Sequence, residues 1–305
     1  MKNDKNLNDI NFNNFLNTIL PSSWIPFIML CRLDRPIGIW LTILPCFSAL
    51  IICSEGIPTI GNIFIFSIGA ILMRSIGCIF NDICDQEFDK KVSRTCFRPL
   101  ATGSITSKKA IIFLLIQLML CSLLLLFLNS TSKFLSIILI PIVLMYPICK
   151  RFTYWPQIIL GICFNWGILI AWSEVNNSIT IDAFLLWIGA ISWQVGYDTI
   201  YAYVDADYDK KIGLKSTAIL FSENGKFFIT IFYLFSLILW TLAGYNLKLH
   251  FSYYIGITII FFHFIWQIKN FQPQSQKRNF YLFLQNVWVG ILLVSCSLTG
   301  TIFLK

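Results

Sequence analysis

The sequence predicts an all-α, polytopic membrane protein of about nine transmembrane helices arranged as two pseudo-repeated bundles. Three observations carry this. Apolar runs of membrane-spanning length recur from end to end of the 305 residues. Hydrophobic residues make up 57% and charged residues 12%, with a mean hydropathy of +0.72, far from the balance of a soluble domain. Third, Asn81–Arg98 (NDICDQEFDKKVSRTCFR) is echoed by Asp198–Thr217 (DTIYAYVDADYDKKIGLKST). Placing Asp85 on Asp205 aligns Asp, any residue, an acid, an aromatic, Asp, Lys, Lys and then Val or Ile. Such self-similarity marks a duplicated structural unit.

In chain order, residues 1–21 form a polar, Asn-rich tail that lacks a charged n-region followed by an apolar h-region, so no cleavable signal peptide is expected. Ser22–Leu33 is too short to span and reads as an interfacial helix carrying Trp24. Pro36 starts the first span. Spans are expected at 36–54, 61–80, 110–128, 134–149, 156–173, 182–200, 227–246, 251–268 and 281–303, within a single transmembrane domain covering 1–305. Of 23 Lys and Arg, Lys133, Lys248 and Lys305 fall opposite the N-terminus and Arg74 lies within a span, leaving 19 on the N-terminal side. The positive-inside rule makes that side, with both Asp-rich loops, cytoplasmic, as in a protein of the bacterial inner membrane. The net charge of +8 then expresses topology and phosphate affinity, and no nucleic-acid partner is needed to explain it.

Eight of the 15 acids lie in the two repeated segments: Asp82, Asp85, Glu87, Asp89, Asp198, Asp205, Asp207 and Asp209. If each segment is helical, ~100° per residue puts Asp82, Asp85 and Asp89 within ~60° of one another. The same geometry puts Asp198, Asp205 and Asp209 within ~40°, with Glu87 and Asp207 pointing away to solvent. Like charges on one helix face repel unless a cation compensates them. Helix C-termini sharpen the problem, because they carry partial negative charge of their own. Divalent cations resolve it. Mg²⁺ takes one or two carboxylates from a protein and completes its shell with water and substrate phosphate oxygens. Carboxylates with Lys and Arg nearby are the parts needed to hold a metal–diphosphate and to stabilise its departure. In a membrane, that chemistry suits the ionisation of an isoprenoid diphosphate. The plainer alternative is a charged face paired with neighbouring Lys and Arg.

Other chemistries lack their parts. The ten cysteines form no CxxC pair and sit mostly in apolar runs, as small buried hydrophobes do. His250 and His263 are isolated, which disfavours a histidine metal or nucleophile site. A secondary transporter would also use repeats and intramembrane acids, but near mid-membrane, whereas these cluster at helix ends beside basic loops.

These residues match a known pattern. NDxxDxxxD at Asn81–Asp89 with RTxxRPLATG at Arg94–Gly103, and DxxYAxxDxxxD at Asp198–Asp209 with KIGxKSTA at Lys211–Ala218, resemble the UbiA superfamily of intramembrane aromatic prenyltransferases. YPICKRFTYWPQIILG (Tyr146–Gly161) is similar to its 4-hydroxybenzoate polyprenyltransferase branch. The resemblance covers residues 32–300, with motif order and spacing intact.

It implies nine helices around a central cavity that opens to lipid beneath a cytoplasm-facing cap. It also implies Mg²⁺-dependent transfer of a polyprenyl chain from polyprenyl diphosphate to the ring of 4-hydroxybenzoate, ortho to the hydroxyl, a step of ubiquinone biosynthesis. By the same resemblance Asn81, Asp85 and Asp89 hold one metal and Asp205 and Asp209 the other, with Asp82 and Asp198 completing the motifs. Asp85, Asp89, Asp205 and Asp209 are thereby the catalytic candidates. Sibling enzymes with homogentisate, dihydroxynaphthoate or haem as acceptor are the nearest alternative, although no haem-ligand pattern is evident.

Substrate-binding candidates follow. Lys150 and Arg151 suit a diphosphate or the acceptor carboxylate, or else serve only orientation and lipid headgroups. Arg94, Arg98 and Lys215 belong to the basic parts of the motifs. Arg74, expensive in hydrocarbon, either faces the cavity or snorkels to the interface, and Arg35 is a further candidate for the carboxylate. Asn165, in mid-span, lines the cavity or makes an interhelical hydrogen bond. Phe164, Trp193, Tyr197 and Tyr201 can shelter an allylic cation, or simply pack.

Overall fold

The computed structural model describes residues 20–90 and 95–303, and in these it contains helices and turns but no strand. Of the expected polar tail only Leu20 and Pro21 fall within the described residues. The helices are α1 (Ile25–Leu30), α2 (Ile37–Cys53), α3 (Ile60–Asp89), α4 (Pro99–Thr102), α5 (Ser107–Leu124) and α6 (Ser130–Phe152). Then come α7 (Pro156–Asn176), α8 (Ile181–Ala202), α9 (Ala206–Ile212), α10 (Thr217–Phe221), α11 (Gly225–Asn246), α12 (Phe251–Asn270), α13 (Gln276–Leu284) and α14 (Asn286–Ile302).

Local chemistry sets most boundaries. The side chains of Thr106, Asn129 and Ser216 accept from Lys109, Ser132 and Ile219 amides, satisfying donors that a helix start leaves open. Pro99 and Pro156 open α4 and α7, where the missing N–H costs nothing. The expected interfacial helix shrinks to the six residues of α1, with an exposed Trp24 before it.

Seven segments are long and apolar enough to cross a membrane: Ile60–Asp89, Ser107–Phe127, Ser130–Phe152, Pro156–Asn176, Thr217–Asn246, Phe251–Asn270 and Gln276–Ile302. The protein is an integral membrane protein, and outward faces such as Leu115, Leu126, Phe134 and Phe262 stay apolar. The two other expected spans are helices of a different kind. Helix α2 has 17 residues, about 25 Å at 1.5 Å per residue. Helix α8 has the length but not the apolarity, carrying Asp182, Gln194 and Asp198. It compensates by burial among neighbours: Ala190, Trp193, Val195 and Ile200 are at most 1% exposed. The last expected span falls within Gln276–Ile302; at its one local interruption, Gln285, the side chain of the next residue, Asn286, bonds by Nδ2 to the Leu282 and Phe283 carbonyls (3.0 and 3.3 Å).

The chain forms two compact units, Met1–Ile39 with Gly69–Leu126, and Trp40–Ile68 with Phe127–Lys305. In the first, Leu30, Ile76, Ile79, Leu100, Ala110 and Leu114 make a buried cluster that fastens the acidic end of α3 to α1, α4 and α5. Gln86 strengthens the join, donating to the Leu100 carbonyl (3.3 Å) and accepting from Ser107 Oγ (2.9 Å). In the second unit α8 packs on α11, and Gly196 permits the approach, since a Cβ there would strike the Tyr233 ring. A satisfied polar network runs beside it. Tyr233 donates to Gln267 Oε1 (2.7 Å), and Trp193 and Gln267 both donate to Asn286 Oδ1 (2.9 and 3.2 Å).

Candidate active site

Helix α3 runs unbroken through Asn81–Asp89, so the expected shared face of Asp82, Asp85 and Asp89 holds. What occupies that face is partly arginine. Arg32 Nη2 donates to both oxygens of Asp82 (2.7 and 2.8 Å), and its Nη1 to the Met29 carbonyl (2.8 Å). A single nitrogen of Arg98, Nη1, reaches Asp82 Oδ1 (3.0 Å) and both oxygens of Asp89 (3.0 and 2.8 Å). Asp82 is 1% exposed and the Asp89 side chain 8%, so these charges need partners. The alternative of Arg-paired acids is therefore realised at these two positions, though in a buried rather than a solvated setting. Asp82, expected among the metal-binding residues, is held here by two guanidinium groups.

Asn81 and Asp85 lie one turn apart on the same helix. Asn81 Oδ1 is buried and has no hydrogen-bond donor among the described residues. A buried carbonyl oxygen without a donor has the lone pairs to serve as an oxygen ligand for a cation. Glu87 points away as expected, with its side chain 76% exposed and paired with Lys90 (2.6 Å). Arg94 lies outside the described residues.

The second motif departs from expectation in its backbone. Helix α8 ends at Ala202 and α9 begins at Ala206, so Asp198 and Asp205 do not share one helix. Tight i→i−3 bonds, Val204 to Tyr201 and Asp205 to Ala202 (2.9 and 3.2 Å), close the last turn of α8 and stop it. The angular argument placing Asp198 with Asp205 and Asp209 thus lapses. Asp205 and Asp209, at the N-cap and inside α9, stay one turn apart, and Asp207 is exposed as expected.

The connector beside this motif is tied to it by backbone. Lys215 N donates to the Lys150 carbonyl (2.9 Å) and Lys215 Nζ to the Phe152 carbonyl (3.1 Å). Thr217 N donates to Gln157 Oε1 (3.1 Å), while the Thr199 and Thr217 hydroxyls meet at 2.7 Å. The ammonium groups of Lys150 and Lys215 stand over the rings of Tyr146 and Tyr154 (5.2 and 5.3 Å). Arg151 is exposed at the end of α6.

The remaining candidates are placed as follows. Arg35 Nε pairs with Asp34 (3.2 Å), and Arg74 is half-buried with its guanidinium over Gly38, where a Cβ would collide with it. Asn165, 2% exposed, donates to Gln194 Oε1 and the Gly161 carbonyl (both 2.9 Å), which realises the interhelical bond. Trp193 and Tyr197 are buried in mutual edge contact (5.2 Å), which is packing, whereas half-buried Tyr201 stacks on Phe283 (4.4 Å). Phe164 is also half-buried. The sequence reading missed Arg32 as a site residue, treating it only as part of the charge asymmetry. Its signal was position: a cation just ahead of the first span, at the membrane side where α3 ends.

Among the described residues no three His, Cys, Asp or Glu side chains converge on one metal position. The donor set nevertheless fits Mg²⁺, which asks for one or two carboxylates per site and leaves the rest of its shell to water and phosphate. Asp85 with the unpartnered Asn81 oxygen meets that requirement on α3, and Asp205 with Asp209 does so around α9.

Comparison with known proteins agrees with this architecture. Residues 42–290 match the model of the UbiA prenyltransferase family. A 4-hydroxybenzoate octaprenyltransferase of Pseudomonas aeruginosa (strain LESB58) is 39% identical over 271 residues, 89% of this chain and 91% of the relative. One of Tolumonas auensis is 38% identical over 276 residues, 90% and 96% of the two chains. The fold is shared with the apo structure of a UbiA homolog from Aeropyrum pernix K1 (TM-score 0.73, 22% identity, 85% of this chain and 96% of that one). A UbiA homolog from Archaeoglobus fulgidus bound to GPP and Mg²⁺ gives a TM-score of 0.70 at 17% identity, over 90% of this chain and 99% of that one. The chain belongs to the UbiA prenyltransferase family.

Proposed function

We propose that this protein transfers a polyprenyl group from polyprenyl diphosphate to the ring carbon ortho to the hydroxyl of 4-hydroxybenzoate, with Mg²⁺ as cofactor. The observation that carries the reading is the acidic end of α3. There a buried aspartate–arginine cluster stands beside Asp85 and an amide oxygen that lacks a donor. The relatives of that name, similar over nine-tenths of the chain, support the choice of acceptor.

Asn81, Asp85 and Asp89 would hold one cation, and Asp205 and Asp209 another. When bound, Mg²⁺ draws charge from the diphosphate and so eases its departure. In the transfer the donor's C–O bond breaks and diphosphate leaves with the electron pair. A ring carbon of the acceptor then bonds to the allylic carbon, and the ring proton is lost. Arg98 supplies a guanidinium for phosphate oxygens, in the planar geometry that suits them. Lys150 and Arg151 supply positive charge at the connector for the diphosphate or the acceptor carboxylate, with Arg35 and Arg74 as further candidates for the carboxylate. The half-buried faces of Tyr201 and Phe164 can shelter developing allylic charge. Asp82 serves by fixing Arg32 and Arg98. The bias of Lys and Arg to one side supports a cytoplasmic location of both motifs in a bacterial inner membrane.

The test is transfer itself. Membranes holding the protein, incubated with radiolabelled 4-hydroxybenzoate, Mg²⁺ and polyprenyl diphosphates of several lengths, should yield a lipid-extractable product. No product with any donor would overturn the proposal, and labelling only with homogentisate or dihydroxynaphthoate would reassign the acceptor.

A further inference from the structure

Arg98 and Mg²⁺ are assigned to the same carboxylate. Asp89 is a ligand in the proposed metal set, yet both its oxygens lie within 3.0 Å of Arg98 Nη1. The cluster is also complete as it stands. Asp82 and Asp89 carry two negative charges and Arg32 and Arg98 two positive ones, so the buried group is neutral. With Asp85 counted, a divalent cation arriving alone would either leave a net positive charge in a poorly hydrated place or have to displace the guanidinium from Asp89 with no anion to receive it. Both are costly, since buried charge without a counterion is strongly penalised.

The Arg98 backbone is hydrogen-bonded at both its N–H and its carbonyl, so its side chain is the part with freedom to answer this conflict. Arg98 N donates to the Thr95 carbonyl (2.9 Å), and the Arg98 carbonyl accepts from Thr102 N (3.0 Å) at the start of α4. Asp82 Oδ1 also accepts from Nη1 (3.0 Å), a tether that does not involve Asp89. The guanidinium side chain is 23% exposed, so it has an open side from which to meet an anion.

The geometry points to Arg98 as a resident counterion for Asp89 that competes with metal and is handed over to diphosphate. Without substrate, Arg98 occupies Asp89 and keeps free metal off this motif. A diphosphate brings the negative charge that takes Arg98 over, pivoting on Asp82, and Asp89 becomes available to the cation that accompanies the anion. The first motif therefore binds metal and diphosphate together and metal alone poorly. Arg98 is in this respect a positioning residue. The inference rests on the prenyl-transfer reading only in naming diphosphate as the anion.

The test is metal binding, read without turnover. Asp205→Asn with Asp209→Asn silences the second motif, and Mn²⁺ binding to the purified protein in nanodiscs is followed by its electron paramagnetic resonance signal, with and without inorganic diphosphate. With Arg98 in place, diphosphate should raise Mn²⁺ affinity at least ~10-fold beyond the Mn²⁺–diphosphate affinity in buffer; ~10-fold corresponds to about 1.4 kcal/mol. Arg98→Gln should move the two measurements in opposite directions, tightening Mn²⁺ alone and weakening Mn²⁺ with diphosphate. Arg98→Lys, which keeps the charge but not the fork, should fall between them. Equal Mn²⁺ affinity with and without diphosphate in the Arg98 protein overturns the inference, and that titration needs no Arg98 variant to fold. If the binding differences hold while the transfer assay yields no prenylated product, the acceptor reading fails and the role of Arg98 stands.

Discussion

Replacing Asp82 by Asn separates a structural carboxylate from a metal ligand. Asp82 is 1% exposed and receives three charge-assisted hydrogen bonds, two from Arg32 and one from Arg98. Breaking a buried ion pair by removing one partner costs ~3–5 kcal/mol. Two features lower that figure here. The Arg32 and Arg98 side chains keep 17% and 23% of their exposure, so water takes up part of their charge. Asn also retains one oxygen that can still accept from Arg32. A loss of about 2–4 kcal/mol follows. Asn81, Asp85 and Asp89 are left unchanged, so the metal-binding face should survive in the molecules that remain folded. The assay is reversible unfolding in mixed micelles with increasing denaturing detergent, paired with turnover per folded molecule at saturating Mg²⁺. The expected result is a large drop in stability with activity per folded molecule reduced only a few-fold. Unchanged stability with turnover abolished would refute the reasoning and return Asp82 to the metal site.

Three further outcomes follow from the same geometry. If Arg151 or Arg74 meets the acceptor's carboxylate, its change to Ala should raise the KM for 4-hydroxybenzoate more than that for the donor, whereas an interaction confined to the transition state would lower kcat; unchanged kinetics in both variants would direct attention to Arg35. Lys90→Cys, with the native cysteines removed, should resist impermeant thiol reagents added outside intact cells, and labelling from outside would reverse the topology. Burial raises the Asp34 carboxyl above its usual range, against the opposing pull of Arg35 and Arg32. A carboxyl raised in the folded state favours folding when protonated, so its contribution is full below the unfolded value and is lost as pH rises through the folded one. Unfolding curves of Asp34→Asn should accordingly lack a decline that the parent protein shows above about pH 4, and identical pH profiles would contradict this.

Much of the fold was legible because apolar length is written directly in the chain. The expected span at 251–268 became α12, Phe251–Asn270, and the expected span at 156–173 became α7, Pro156–Asn176. The error lay where local bonds stop a helix: the break before Asp205 rests on tight backbone bonds at the end of α8, which do not disturb the hydrophobic period. The acidic motifs were legible as charge out of place, including the outward turn of Glu87 and Asp207. Pairing with neighbouring Lys and Arg was a legible alternative, which Arg98 realises, but the Arg32 partner was not, since Arg32 and Asp82 are 50 residues apart and nothing in a local pattern joins them. Asn165 shows the converse case. A polar residue in mid-span marks either a ligand contact or a helix contact, and its bond to Gln194 could not be read from the sequence.

The central claim is that Asp85, Asp89, Asp205 and Asp209 hold the cations that carry the diphosphate, while Glu87 and Asp207 do not. Initial rate against Mg²⁺ concentration, for Asn variants of the four and for Glu87→Gln and Asp207→Asn in matched membranes, tests it most directly. Asn keeps the size and one oxygen but removes the charge, so electrostatics is separated from packing. The four should lose nearly all turnover while still inserting, with partial recovery at high Mg²⁺. The two exposed variants should keep most of theirs and show no dependence on added Mg²⁺ beyond that of the parent. Equal losses at all six positions would contradict the claim.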